Sequence, residues 1–222
     1  QQYFLSSASL QDTINSYVDI TGNNFNKFIE LNSFQLNDTH PSIAVAELMR
    51  ILMDDYRIGW GDAWQITSQT MAYTNHTLLP EALEKWPVRL FENLLPRILE
   101  IIYEINARFL LQVAVEWPGD SEKQRALSLI EEGHEPQVRM AHLAIVGSYS
   151  VNGVAELHTK LLKAGLFKYF YQLWPEKFNN KTNGVTPRRW LSHCNTSLAD
   201  LISSEIGKDW VAFNNTLVPQ AA

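Results

Sequence analysis

The run Tyr73-Thr-Asn-His-Thr-Leu-Leu-Pro-Glu-Ala-Leu-Glu-Lys-Trp86 decides how this chain is read. Four hydrogen-bonding side chains, Thr74, Asn75, His76 and Thr77, stand between an apolar stretch and a proline-started segment. Such a cluster can cap a helix. It can also hold a polar ligand beyond the carboxyl end of a parallel strand. Residues 71–74 read as a strand, the segment around His76 as the loop after it, and Pro80 as the start of a short helix.

Outward from this run the same order recurs. Residues 10–17 read as helical, before a polar loop at 21–26. Residues 33–37 read as a short buried strand, ending in the knot Asn37-Asp-Thr-His-Pro41. Pro41 suits a first helical turn, with Asp38 or Thr39 as its cap. The helix after it sets Ala44, Leu48, Ile51, Leu52 and Tyr56 on one face and stops at Gly59. A second helix is expected over 62–70. Over 96–115 the apolar residues Ile98, Ile101, Ile102, Ile105 and Phe109 keep helical spacing. Trp117-Pro-Gly-Asp120 is a turn, with Asp120 or Ser121 capping the helix that follows. Residues 140–146 read as a strand, 147–153 as a tight loop, and 154–163 as a helix stopped by Gly165. Residues 178–183 read as extended, Pro187 opens a helix or turn, and 197–206 form a last amphipathic helix.

Strand, polar loop and helix thus alternate three or four times. That order predicts the α/β class, a Rossmann-like parallel sheet with flanking helices. The polar loops at 37–41, 74–77, 147–153 and 181–186 are then expected beyond the carboxyl ends of the strands.

Bulk composition narrows the function classes. The chain has 222 residues, 45% hydrophobic and 19% charged, with seven Trp, which suits a packed core and not disorder. Net charge is -6 with no basic run, which argues against nucleic acid as partner. The single cysteine, Cys194, allows neither an internal disulfide nor a cysteine zinc site. Apolar runs stop short of the ~18 residues a membrane span needs. The sequence starts at Gln1 without a signal-peptide pattern, so a cytoplasmic piece of a longer protein is expected. Asn-x-Ser/Thr triplets at Asn37, Asn75, Asn180, Asn195 and Asn214 then read as ordinary loop composition.

Each polar constellation has two readings. Asp38 can orient a histidine or a sugar hydroxyl, or cap a helix. His76 can meet a ligand through its ring or its carbonyl, or be a core histidine satisfied by a carboxylate such as Asp38. Gly147-Ser-Tyr-Ser-Val-Asn-Gly153 lacks the endings of a phosphate loop or a dinucleotide fingerprint. Arg188 and Arg189 can bind phosphate or lie solvated in a first helical turn. No nucleophile–base order and no metal motif is present.

Five blocks together carry a resemblance: Gln35-Leu-Asn-Asp-Thr-His-Pro41, Ala72-Tyr-Thr-Asn-His-Thr77 with Pro80-Glu-Ala-Leu-Glu84, Met140-Ala-His-Leu, Val151-Asn-Gly-Val-Ala155, and Asn180-Lys-Thr-Asn-Gly-Val-Thr-Pro-Arg-Arg-Trp190. They resemble the glycogen, starch and maltodextrin α-glucan phosphorylases over essentially the whole chain. Gln2-Tyr-Phe, Glu100-Ile-Ile-Tyr-Glu-Ile-Asn106 and Trp117-Pro-Gly-Asp lean towards the bacterial branch.

The resemblance implies a two-domain glycosyltransferase-B architecture. Residues 1–183 would close its N-terminal domain, and 184–222 would begin its cofactor-binding domain. It implies reversible phosphorolysis of terminal α-1,4-glucosyl units to α-glucose 1-phosphate with retention. Pyridoxal 5'-phosphate is implied as cofactor, its phosphate acting as proton donor and acceptor. The His76 carbonyl would meet the glucosyl 6-hydroxyl, with Asp38 supporting the His76 ring. Asn183 would contact the same hydroxyl, and Val154 would pack near it. Thr77 and Glu84 would line the adjacent pocket, and Trp190 would lie near the cofactor ring. The Schiff-base lysine and the phosphate-binding residues are expected outside this chain, so the segment alone is expected to be inactive. The family includes allosteric enzymes, and a homodimer is implied for the longer protein. Ala221-Ala222 matches no family pattern. Two other readings stand beside this one: a catalytically dead glucan-binding relative, and a nucleotide-sugar glycosyltransferase of the same fold.

Overall fold

The computed structural model describes residues 1–212; Asn214 and the Ala221-Ala222 ending lie outside the described residues. The chain divides into two compact units, Gln1–Thr182 and Asn183–Ala222.

The first unit is built on four parallel strands in the order β1-β2-β6-β7. β1 is Phe34–Asn37 and β2 is Met71–Asn75. Three short strands follow: β3 (Lys85–Pro87), β4 (Ile130–Glu131) and β5 (Gln137–Arg139). They form a separate antiparallel sheet in the order β3-β5-β4. β6 is Ser150–Gly153 and β7 is Phe178–Asn180. In the main sheet one register row, Leu36, Tyr73, Val151 and Phe178, is buried throughout. The next row, Asn37, Thr74, Asn152 and Asn179, is polar. Alternation along each strand therefore gives the sheet one core face and one hydrogen-bonding face. The expected α/β class with a parallel sheet is what the chain adopts.

The helices of this unit flank the sheets. They are α1 (Gln2–Thr21), α2 (Phe28–Leu31), α3 (Ala44–Arg50), α4 (Trp60–Thr70) and α5 (Val88–Leu94). Then come α6 (Pro96–Glu116), α7 (Ser121–Leu127), α8 (Met140–Val146), α9 (Glu156–Ala164) and α10 (Lys168–Leu173). α6 begins with Pro96 in its first turn, where a missing N–H costs nothing. It buries Ile98, Leu99, Ile101, Ile102, Ile105, Phe109 and Val113, each worth roughly 1.5–3 kcal/mol. Asp120 caps α7, its carboxylate accepting from the Lys123 N–H at 3.0 Å.

Several expectations are corrected. The run Met140–Val146 is helix α8, not a strand. Met140 and Leu143–Val146 are all buried, and a short run buried on every side carries no periodicity to tell the two apart. The tight loop expected at 147–153 contains strand β6, so the true post-strand loop is Val154-Ala155. α1 starts eight residues before the expected helix, because its first half docks through polar groups. Tyr3 and Ser7 donate to Glu47 on α3 at 3.1 and 2.7 Å. Glu47 is fully buried and is paired by both Nε and Nη2 of Arg50 at 2.9 Å. Gly59 does not stop α3, which runs on as a π-helical turn, Ile51–Asp55; Gly59 is the residue before α4. Pro80 opens only a 3-10 turn, Pro80–Ala82. β1 is half-buried, with Leu36 its one buried side chain.

The second unit holds a π-helical turn, Arg188–His193, preceded by Pro187, and helix α11, Thr196–Ile206. Asn195 caps α11, accepting from the Leu198 N–H at 3.1 Å. Arg188 and Arg189 are exposed, and Arg188 Nη1 donates to the Val211 carbonyl at 3.5 Å.

Candidate functional site

Parallel pairing lines up the ends of the four strands, ~4.8 Å apart. Asp38, His76, Val154 and Lys181 therefore follow β1, β2, β6 and β7 along one edge.

Asp38 extends the ladder, its N–H donating to the Thr74 carbonyl at 3.0 Å. It sits at φ 59, a left-handed conformation that Asp tolerates better than most residues. Its carboxylate accepts from the Thr39 N–H at 2.7 Å and caps no helix. Thr39 is buried, and its hydroxyl donates to Glu84 Oε2 at 2.6 Å. Gln2 Nε2 donates to Glu84 Oε1 at 3.0 Å, and the Met140 N–H to the Glu84 carbonyl at 3.1 Å. Glu84 thus ties α1, the β1 loop and α8 to one point.

The β2 loop is held by its own side chains. Asn75 is fully buried; its Nδ2 donates to the Tyr73 hydroxyl at 3.1 Å and its Oδ1 accepts from the Thr77 N–H at 3.1 Å. Burial pushes the Tyr73 hydroxyl pKa up, so it stays protonated. Thr77 Oγ1 accepts from the Leu79 N–H at 3.1 Å. These two side-chain turns leave His76 exposed at the apex. Among the described residues no hydrogen bond joins Asp38 to His76, so the expected support of the His76 ring by Asp38 has no counterpart here.

A residue absent from the sequence reading braces the β6 loop. His158, in the first turn of α9, accepts from the Val154 N–H through Nδ1 at 3.2 Å. That bond leaves the ring proton on Nε2. Nε2 is buried without a hydrogen-bond partner among the described residues, and the Thr77 backbone beside the ring acts against the fall in its pKa. Burial first, then the neighbouring His76, hold the His158 pKa below the usual imidazole value. Gly153 makes room for this ring: a Cβ there would lie 2.7 Å from His158 Nδ1 and against Thr159 Oγ1. The signal was present in Gly153-Val-Ala-Glu-Leu-His158, a histidine four residues after the one whose N–H it accepts.

Polar bonds continue along the sheet. Gln35 Nε2 donates to Thr74 Oγ1 at 2.8 Å, and Thr74 Oγ1 to Asn152 Oδ1 at 2.7 Å. Asn179 Nδ2 donates to Ser150 Oγ at 2.8 Å, and Lys181 Nζ to Asn179 Oδ1 at 2.6 Å. The edge therefore offers mainly amide and hydroxyl donors and acceptors, with Lys181 and Asp38 as its charged groups, on fixed backbone. It suits a polyhydroxyl ligand. No group of metal-ligating side chains occurs among the described residues. The carboxylates of Asp38 and Glu84 are both engaged in hydrogen bonds.

Asn183 and Trp190 belong to the second unit, where both are exposed, Trp190 by 61%.

A family model described as carbohydrate phosphorylase matches residues 1–219. The chain belongs to the carbohydrate phosphorylase family. It is 54% identical over 219 residues to the muscle-form glycogen phosphorylases of Bos taurus and Homo sapiens, which covers 96% of this chain and 26% of each relative. It is 54% identical over 209 residues to glycogen phosphorylase 2 of Dictyostelium discoideum, covering 94% of this chain and 21% of that protein. The chain thus spans about a quarter of the length of the curated relatives it matches. The parallel sheet with flanking helices is consistent with the glycosyltransferase-B fold of phosphorylases.

Proposed function

We propose that this chain is the glucosyl-positioning part of an α-1,4-glucan phosphorylase. The longer protein would catalyse reversible phosphorolysis of terminal α-1,4-glucosyl units, giving α-glucose 1-phosphate. The observation that carries this reading is the 54% identity over 219 residues to glycogen phosphorylases. The geometry supports it: the strand-end loops present mainly amide and hydroxyl donors and acceptors on fixed backbone.

Within this reading the His76 carbonyl meets the 6-hydroxyl of the bound glucosyl unit. Thr77, Val154, Glu84 and Asp38 shape the wall around it, and His158 holds the β6 loop in place. Asn183 contacts the same hydroxyl. Glycogen, starch or maltodextrin, with inorganic phosphate, are the substrates. A cytoplasmic homodimer of the bacterial branch belongs to the same reading.

The family's cofactor, pyridoxal 5'-phosphate, supplies acid–base chemistry through its phosphate when bound. The residues described do not form its anchor. Lys177, largely enclosed by protein, stands at the amino end of β7 with Nζ facing the Ile145 carbonyl at 3.5 Å. Trp190 offers one exposed ring.

The test is turnover by the longer protein with maltoheptaose, inorganic phosphate and pyridoxal phosphate. Phosphate-dependent release of glucose 1-phosphate is expected. Glucan binding without turnover would favour an inactive relative. Transfer from ADP- or UDP-glucose without phosphorolysis would favour a nucleotide-sugar enzyme. Either result refutes the proposal.

A further inference from the structure

The opposite end of the sheet carries a second candidate site. A cavity of about 340 Å³ opens between α4, α6 and the segments that lead into β6 and β7. This volume falls within the range of small-molecule pockets. The cavity is independent of the glucosyl reading, because those loops lie at the carboxyl ends of the same strands.

Its walls combine flat rings and cations. Trp60 and Trp64 come from α4, and Trp174 from the end of α10. Arg108 lies over the Trp60 ring at 4.8 Å, and Lys177 Nζ over the Trp174 ring at 3.8 Å. Both cations keep donors free. Lys177 reaches only the Ile145 carbonyl, at a long 3.5 Å. Arg108 commits Nε to Glu104 at 2.6 Å, and its terminal nitrogens have no acceptor among the described residues. Ser148 also lines the cavity; it is fully buried, and its hydroxyl has no partner among the described residues. A buried hydroxyl left unpaired costs free energy, which an incoming acceptor would recover. Among the described residues no carboxylate lines the cavity.

From the aromatic walls, the two cations and the orphaned Ser148 hydroxyl, we propose that this cavity binds a planar aromatic anion, its ring between the tryptophans and its acceptor group at Lys177, Arg108 and Ser148. The aromatic faces supply area at low entropic cost, and the two cations select charge.

The probe is 2-naphthoate, titrated by calorimetry into the longer protein that carries this chain. Its neutral counterpart, 2-naphthalenemethanol, is titrated alongside. One saturable site is expected for naphthoate, with the neutral compound at least roughly tenfold weaker. Lys177→Gln and Arg108→Gln should each weaken naphthoate by roughly tenfold, and Ser148→Ala by a smaller factor. Lys168→Gln, on the exposed start of α10, should leave it unchanged. Three results would overturn the site: no saturable binding, equal binding of the neutral compound, or full binding by variants whose unfolding curves match the parent's. The comparison of the two compounds needs no variant, so a substitution that fails to fold leaves the test intact.

Discussion

Replacing Gly153 by alanine probes the junction on which the proposed glucosyl wall rests. A Cβ at this position meets Thr159 Oγ1, His158 Nδ1 at 2.7 Å and the Thr159 Cα at 3.1 Å. The Thr159 backbone sits inside α9 and cannot yield without moving the helix. Overpacking of this kind costs about 1–3 kcal/mol. Displacing the His158 ring also removes the acceptor of the Val154 N–H, worth about 1 kcal/mol. The sum is a loss of about 2–4 kcal/mol. Gly61 is the internal control: it lies in α4, and a Cβ there would meet nothing within 4 Å. Gly61→Ala should stabilise by roughly 0.5–1 kcal/mol, because glycine is a poor helix former. Urea unfolding followed by tryptophan fluorescence reads both variants. Opposite signs are expected for one chemical change at two sites. Gly153→Ala within ~0.5 kcal/mol of the parent would refute the packing argument.

Arg50→Met should destabilise by about 3 kcal/mol, since it strands the fully buried Glu47 carboxylate without its cation; urea midpoints check this, and an unchanged midpoint would refute it. His142 gives a pH prediction. Its ring is enclosed by protein and burial lowers its pKa to about 4, while its Nδ1 faces the Ser128 carbonyl at 3.0 Å. The folded state therefore holds this ring neutral where the unfolded chain protonates it. The stability is complete above about pH 6.5 and is lost as pH falls towards about 4, amounting to about 3 kcal/mol. Thermal unfolding at pH 7 and pH 4.5 should show a smaller acid loss for His142→Gln than for the parent; equal losses would contradict the assignment.

Much of the fold was legible because apolar spacing and punctuation agreed. Pro96 and the isoleucines that follow it mark α6, and Asp120 caps α7 as its position suggests. What failed has a common cause: contacts that carry no local pattern. α8 is buried on all sides and so loses its period. The first half of α1 is held by hydroxyls on Glu47, which apolar spacing does not register. Strands β3 to β5 have two or three residues each and depend on partners distant in sequence. At the candidate site the sequence showed which loops are polar, and the parallel order sets the β1, β2 and β7 loops at one edge. It misplaced the third loop by taking β6 for a turn. It also left out His158, whose role depends on Gly153 having no side chain.

The central claim is that these strand-end loops read the glucosyl 6-hydroxyl. The direct measurement is kcat/KM in the longer enzyme for α-glucose 1-phosphate against its 6-deoxy analogue, in the parent and in Asn183→Ala. The parent should prefer the natural compound by roughly 10–1,000-fold, and Asn183→Ala should lose most of that preference. A parent enzyme that turns over both compounds equally, or an Asn183→Ala variant that keeps the full preference, would contradict the account.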